Sequence, residues 1–196
     1  MSQARPDASI IDLFHDGDRV AIVASRWNDD IIDKLISGCD QRLRELGAAV
    51  DLYRVPGAYE LPTAAKWAAE SKTFEAVICI GCVIRGDTPH FDYVAGEAAR
   101  GINTVGITTG VPCIFGVLTV NTHEQAVARA GGEHGHAGIA AADAAAEMVA
   151  LKRKLGGAGT NDPRRRLLEI EEEMAGQLRQ EDQDRRESGG AIPIVD

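Results

Sequence analysis

The chain has 196 residues, 44% hydrophobic and 26% charged, enough to bury one core and too apolar for a chain disordered throughout. Its net charge of −9, from 21 Lys and Arg against 30 Asp and Glu, argues against generic binding to nucleic acid or to an anionic membrane, since both need a basic face. No run of about eighteen apolar residues occurs, and Met1 to Asp7 lacks a basic segment leading into an apolar one, so neither a membrane span nor a signal peptide is expected and a cytoplasmic location is the simplest reading.

Val20-Ala21-Ile22-Val23-Ala24 reads as a buried strand. Asn28 or Asp29 can cap the helix that follows, whose apolar side is Ile31, Ile32, Leu35, Ile36, Cys39, Leu43 and Leu46 and which Gly47 ends. Ala49 to Val55 is a second strand closed by Pro56-Gly57. A helix from Glu60 to Glu70 then carries Pro62 in its first turn, where a missing N–H costs nothing. Ala76 to Ile84 is the most apolar segment and reads as a central strand. Arg85-Gly86-Asp87-Thr88-Pro89 leads to a helix from His90 to Arg100. Thr104 to Thr108 and Gly116 to Val120 are strand candidates separated by Thr109-Gly110-Val111-Pro112. Glu124 to Ala130 is a short helix broken by Gly131-Gly132, and an alanine-rich helix runs from Gly138 to Leu155. Such alternation implies a parallel sheet with helices on both faces, a three-layer α/β/α arrangement with four to five strands.

Beyond Leu155 the composition changes. Gly156 to Pro163 reads as a flexible linker, and Arg164 to Glu187 is dense in charge with a narrow apolar stripe at Leu167, Ile170, Met174 and Leu178. A solvated terminal helix or disordered tail is the plain reading of residues 156–196, and docking of the stripe on a partner or neighbouring subunit is the alternative. The enzyme-sized body is residues 1–155. Cys79 and Cys82 have the C-x-x-C spacing, but they sit inside an apolar strand with no second ligand pair, which argues against a redox or metal role.

Ligands of parallel α/β sheets bind beyond the carboxyl ends of the strands. Trp27 follows the first strand, where it can pack or can stack on a flat heterocycle. In Gly57-Ala58-Tyr59-Glu60 the small residues allow close approach, and Glu60 either accepts hydrogen bonds from hydroxyls or serves the helix dipole. The turn Gly86-Asp87-Thr88-Pro89 feeding a helix N-terminus suits an anion such as phosphate, and His90 at its mouth is the natural proton-transfer residue, unless it is a plain surface histidine. Phe115 lies at an apolar turn. Arg129, on the last turn of a short helix, can reach a phosphate or satisfy the helix dipole. His134 and His136 form an H-x-H pair, a weak metal signal.

Together these residues resemble the lumazine synthase family across Arg19 to Lys154. The blocks are Arg26-Trp27-Asn28, Pro56-Gly57-Ala58-Tyr59-Glu60-Leu61-Pro62, Gly81 through Val94, and Phe115-Gly116-Val117-Leu118-Thr119 leading to Glu124-Gln125-Ala126 and Arg129-Ala130-Gly131. The resemblance implies a flavodoxin-like fold and condensation of 5-amino-6-(D-ribitylamino)uracil with L-3,4-dihydroxy-2-butanone 4-phosphate. The products would be 6,7-dimethyl-8-ribityllumazine, phosphate and water, formed without metal or redox cofactor. It implies that Trp27 stacks on the pyrimidine, that Ala58, Tyr59 and Glu60 line the ribityl pocket, and that backbone groups of Cys82, Val83 and Ile84 bind the uracil edge. Asp87, Thr88 and Arg129 would form the phosphate site, His90 would move protons, and Phe115 would come from a neighbouring subunit.

Four departures stand out. Asp87 puts a carboxylate beside the expected phosphate, so contact there would use its backbone N–H. Val120-Asn121-Thr122 replaces Thr-Glu-Asn, and Ala137 stands where many relatives have lysine, which implies weaker phosphate affinity. Glu133 replaces the usual lysine of a glycine-rich loop associated with shells. The family assembles as pentamers, some of them stacked into 60-subunit shells, and the shell is the assembly expected here. Riboflavin synthase is a candidate partner. The alternatives to an enzyme are a non-catalytic flavin- or lumazine-binding relative and a shell-forming container.

Overall fold

The computed structural model describes residues 14–158. The chain divides at Leu151 into two units, and the sheet and its helices belong to the first. Four strands, β1 (Arg19–Ser25), β2 (Ala49–Val55), β3 (Ala76–Ile84) and β4 (Cys113–Val120), form a parallel sheet in the order β2-β1-β3-β4. β1 aligns Val20 with Val50 on one side and with Ala76 on the other, and β3 aligns Cys82 with Leu118.

The two faces of the sheet are apolar because alternate residues of the inner strands point opposite ways. Val20, Ile22 and Ala24 of β1 and Ile78, Ile80 and Cys82 of β3 meet Ile31, Ile32, Leu35 and Leu43 of α1 (Asp29–Glu45) and Ala142, Ala145 and Val149 of α5 (Ala137–Ala158). Ala21, Val23, Val77 and Cys79 meet Leu61, Ala65 and Ala69 of α2 (Leu61–Glu70) and Ile102 and Val105 of α3 (His90–Thr109). The result is a three-layer α/β/α, flavodoxin-like fold. Cys79 and Cys82 therefore face opposite sides of the sheet, and their C-x-x-C spacing joins nothing. Burial pushes Cys82 and Cys113 up to about 11 and Cys39 up to about 12, and Cys79 higher still. Among the described residues no helix is long and apolar enough to cross a membrane.

Three expectations are corrected. Thr104 to Thr108 is not a strand but the end of α3. Ala98, Ile102 and Val105 form its buried helical stripe, and the hydroxyls of Thr104, Thr108 and Thr109 donate to the carbonyls four residues back, of Arg100, Thr104 and Val105. Gly110, at φ 68, ends the helix by donating its N–H to Gly106 O.

Asn28 precedes α1 but makes no side-chain cap. It sits at φ 63, and its Nδ2 donates to Cys82 O at 2.9 Å. The third concerns the last helix, which runs through Gly156 to Ala158, into the segment read as a linker. The rest of that linker and the stripe at Leu167, Ile170, Met174 and Leu178 lie outside the described residues. A small hairpin, β5 (Ala130–Gly132) with β6 (Gly135–His136), follows α4 (His123–Arg129).

Glycines allow α5 to sit against α1. A Cβ at Gly138 would fall inside van der Waals distance of the Leu35 carbonyl, and one at Gly38 would enter the ring of His136. His136 is thereby a packing residue, and its Nδ1 accepts the Ile139 N–H at 3.4 Å. Buried Asp143 on α5 accepts from Arg42 Nε at 2.7 Å, which ties the two helices and raises the arginine's pKa.

Candidate functional site

The chain runs from β1 outward to β2 and then crosses back to β3, so the strand order reverses between β1 and β3. A crevice must open there at the carboxyl ends. A cleft of about 730 Å³ lies at this place.

Each wall comes from one strand exit. Beyond β1, Trp27 is 74% exposed, so it is not a core packing residue and its ring faces the cleft. The left-handed backbone of Asn28 turns the chain sharply into α1, and the Asn28 amide ties this wall to the end of β3. Beyond β2, Pro56 and Gly57 lead into a single 3-10 turn, Ala58–Glu60. Gly57 is extended, at φ −148, so its requirement is space. A Cβ there would lie 3.1 Å from Glu60 Oε2 and 3.5 Å from Trp27 Cδ1. Ala58 forms a buried floor, while Tyr59 and Glu60 are exposed and line the cleft. Glu60 occupies the N-cap position of α2 without a side-chain cap bond, which leaves its carboxylate to the cleft.

The end of β3 supplies Cys82, Val83 and Ile84, and α3 supplies His90, Tyr93 and Val94. Positions i, i+3 and i+4 share one helical face, so the seating of His90 brings Tyr93 and Val94 with it. Tyr93, Val94 and Asn28 were not anticipated as site residues; for the first two, helical spacing from His90 was the available signal.

Three anticipated residues, Asp87, Thr88 and Arg129, do not line this cleft, and neither does Phe115, which the resemblance assigns to the site of a neighbouring subunit. Asp87 and Thr88 are exposed on the loop that precedes α3. Arg129 Nη1 donates to Gln125 O at 3.0 Å, the helix-end contact, within its own chain. Phe115 is 43% exposed on β4, the edge strand, opposite Cys79. It lies five residues before Val120, the strand's last residue, roughly 16 Å short of it at about 3.3 Å per residue.

Near the cleft, His123 Nε2 and Asp30 Oδ2 are 2.7 Å apart, and this bond lowers the pKa of Asp30. Arg54 bonds Asp33 and donates to Ser25 O. Among the described residues no group of three or more His, Cys, Asp or Glu is placed to hold a metal.

The fold and the cleft define an α/β protein with an aromatic, carboxylate- and histidine-bearing crevice at a strand-order reversal. Residues 17–153 match the family model described as 6,7-dimethyl-8-ribityllumazine synthase. A 6,7-dimethyl-8-ribityllumazine synthase of Syntrophus aciditrophicus (strain SB) is 49% identical over 146 residues, which cover 73% of this chain and 95% of that protein. The chain belongs to the lumazine synthase family.

Proposed function

We propose that this chain condenses 5-amino-6-(D-ribitylamino)uracil with L-3,4-dihydroxy-2-butanone 4-phosphate to 6,7-dimethyl-8-ribityllumazine, as a transferase of riboflavin biosynthesis. The observation that carries the reading is the meeting of Trp27, Glu60, the end of β3 and His90 in one cleft. The exposed indole offers a face to the pyrimidine, backbone groups of Cys82 to Ile84 offer partners for its edge, and Glu60 accepts hydrogen bonds from the ribityl hydroxyls. The 5-amino group attacks the ketone and water leaves to give an imine. The C3 proton is then lost as phosphate departs with the electrons of its C–O bond, the resulting enol tautomerises to a new carbonyl at C3, and the ribityl-bearing second amine closes the ring on that carbonyl with loss of water. His90 shuttles the protons of these steps, and the helix N-terminus behind the Asp87-Thr88 turn favours the departing anion.

The positions of Phe115 and Arg129, outside their own chain's cleft, support a site completed by a second copy, as in a pentamer or a 60-subunit shell. Arg129 then adds cationic charge to the phosphate from the neighbour. Light scattering on the purified chain distinguishes the two assemblies. The function is tested by mixing both substrates with protein and following lumazine absorbance against the slow uncatalysed condensation. Acceleration at neutral pH is expected. Equal rates with and without protein would overturn the enzyme and favour a ring-binding relative.

A further inference from the structure

We propose that Arg85 is a positioning residue that clasps the loop Gly86-Asp87-Thr88-Pro89 and thereby sets His90 in the cleft. The inference deepens the lumazine synthase reading and rests on it for the identity of the anion.

The loop between β3 and α3 is exposed throughout, and a Cβ added at Gly86 would meet nothing within 4 Å, so packing does not hold it. What spans it is one side chain. The Arg85 N–H donates to Val120 O at 2.9 Å, fixing the loop's start to the end of β4. Its guanidinium then reaches past the loop to the first turn of α3. Nη2 donates to Asp92 Oδ1 at 2.9 Å and Nη1 to Asp92 Oδ2 at 3.4 Å. The guanidinium carbon stands 4.1 Å from the centre of the Phe91 ring.

Asp92 in turn donates its own N–H to Pro89 O at 3.0 Å, so the far end of the loop is held by the same residue. A planar fork that pairs a carboxylate through two donors and lies on a ring fixes an orientation, which a lysine ammonium cannot do. Because Asp92 already neutralises it, Arg85 sets the shape of the anion loop and is not the anion's counter-ion. His90, Tyr93 and Val94 share the turn that is held, so the clasp sets how they face the cleft.

The test compares the full-length wild type with Arg85→Lys, Asp92→Asn and the exchange Arg85→Asp/Asp92→Arg. Amide hydrogen exchange is read over residues 86–93, and KM is measured separately for each substrate. Both single variants are expected to exchange at least tenfold faster over 86–93 and at wild-type rates in β1 and β3. The KM for the butanone phosphate should rise about five- to twentyfold while that for the pyrimidine stays within twofold, and the exchange variant should recover most of both effects. Unchanged exchange over 86–93, or a parallel rise of both KM values with a global loss of protection, would overturn the clasp. Phe91→Leu, which removes only the ring beneath the guanidinium, decides the question if the charge variants fail to fold. If the wild type does not catalyse the condensation, the functional reading falls while the exchange measurement still decides the clasp.

Discussion

Replacing Asn28 tests how the cleft wall is built. The residue does two things: it holds a left-handed backbone at φ 63, and it donates to the Cys82 carbonyl across the mouth of the sheet at 2.9 Å. Asn28→Gly keeps the first and loses the second. A partly buried neutral hydrogen bond contributes about 0.5–1.5 kcal/mol net, so a loss of about 1 kcal/mol is expected. Asn28→Ala loses both, and a left-handed alanine costs a further ~1–2 kcal/mol, for about 2–3 kcal/mol in all. At roughly 2–4 °C per kcal/mol for a chain of this size, glycine should lower Tm by about 3 °C and alanine by about 8 °C, read by circular dichroism. Both should raise KM for the pyrimidine, since Trp27 and Cys82 lose their tie. Alanine no worse than glycine would refute the backbone argument, and glycine equal to wild type would refute the hydrogen bond.

His90→Ala should slow turnover about ten- to a thousandfold, measured by lumazine absorbance, and an unchanged rate removes it from proton transfer. Gly138→Ala meets a backbone carbonyl and should destabilise by about 3 kcal/mol, at the upper end of overpacking. The nearest atoms to a Cβ at Gly38 all belong to the His136 ring, so adding His136→Ala should relieve Gly38→Ala in urea denaturation and leave Gly138→Ala unrelieved. Asp30 is held below the usual carboxylate range, so its pair with His123 stabilises fully above a pH of about 4 and loses that effect as pH falls through the lowered value. The stability gap between wild type and His123→Gln at pH ~5 should therefore narrow as pH falls below ~4, and a gap that stays constant through acid denaturation would refute the pairing. A thiol raised to about 11, as for Cys82 and Cys113, is about one part in a thousand ionised at pH ~8, so reaction with a thiol reagent should run at least ~100-fold slower in native than in unfolded protein. A fast native burst would refute the burial.

The strands at Val20 to Ala24 and Ala76 to Ile84 were legible because inner strands of a covered parallel sheet read as short continuous apolar runs, whereas the edge strand Ala49 to Val55, interrupted by Asp51 and Arg54, was legible from its β-branched and aromatic residues and the Pro56-Gly57 that closes it. Thr104 to Thr108 misleads for a local reason: Val105 and Ile107 favour a strand by type, while the helical stripe through Ala98 and Ile102 and the threonine back-bonds decide otherwise. Asn28 misleads because a residue suited to capping also suits a left-handed turn, and the long-range partner Cys82 is invisible in local sequence. The hairpin Ala130–Gly132 with Gly135–His136 is too short to leave a periodic signal.

At the site, residues just beyond strands, such as Trp27 and Glu60, could be found from topology alone. Tyr93 could not be found that way, because it enters through helical phase. Arg129 is a different case: local pattern marks it as unusual, but only a three-dimensional chain shows that it does not line its own cleft, while for Phe115 the family resemblance already pointed to a neighbouring subunit.

The length of α3 has a consequence for how this chain can change over time. Twenty residues at 1.5 Å each make a strut of about 30 Å, with His90 at one end and the turn into β4 at the other. Substitutions along its exposed side beyond the first turn, past Val94, leave both ends where they are. A single inserted or deleted residue ahead of the stripe at Ala98, Ile102 and Val105 would swing His90 about 100° around the axis, away from the cleft. The outer side of the helix beyond its first turn is therefore free to drift in composition, while the helix as a whole is closed to changes in length.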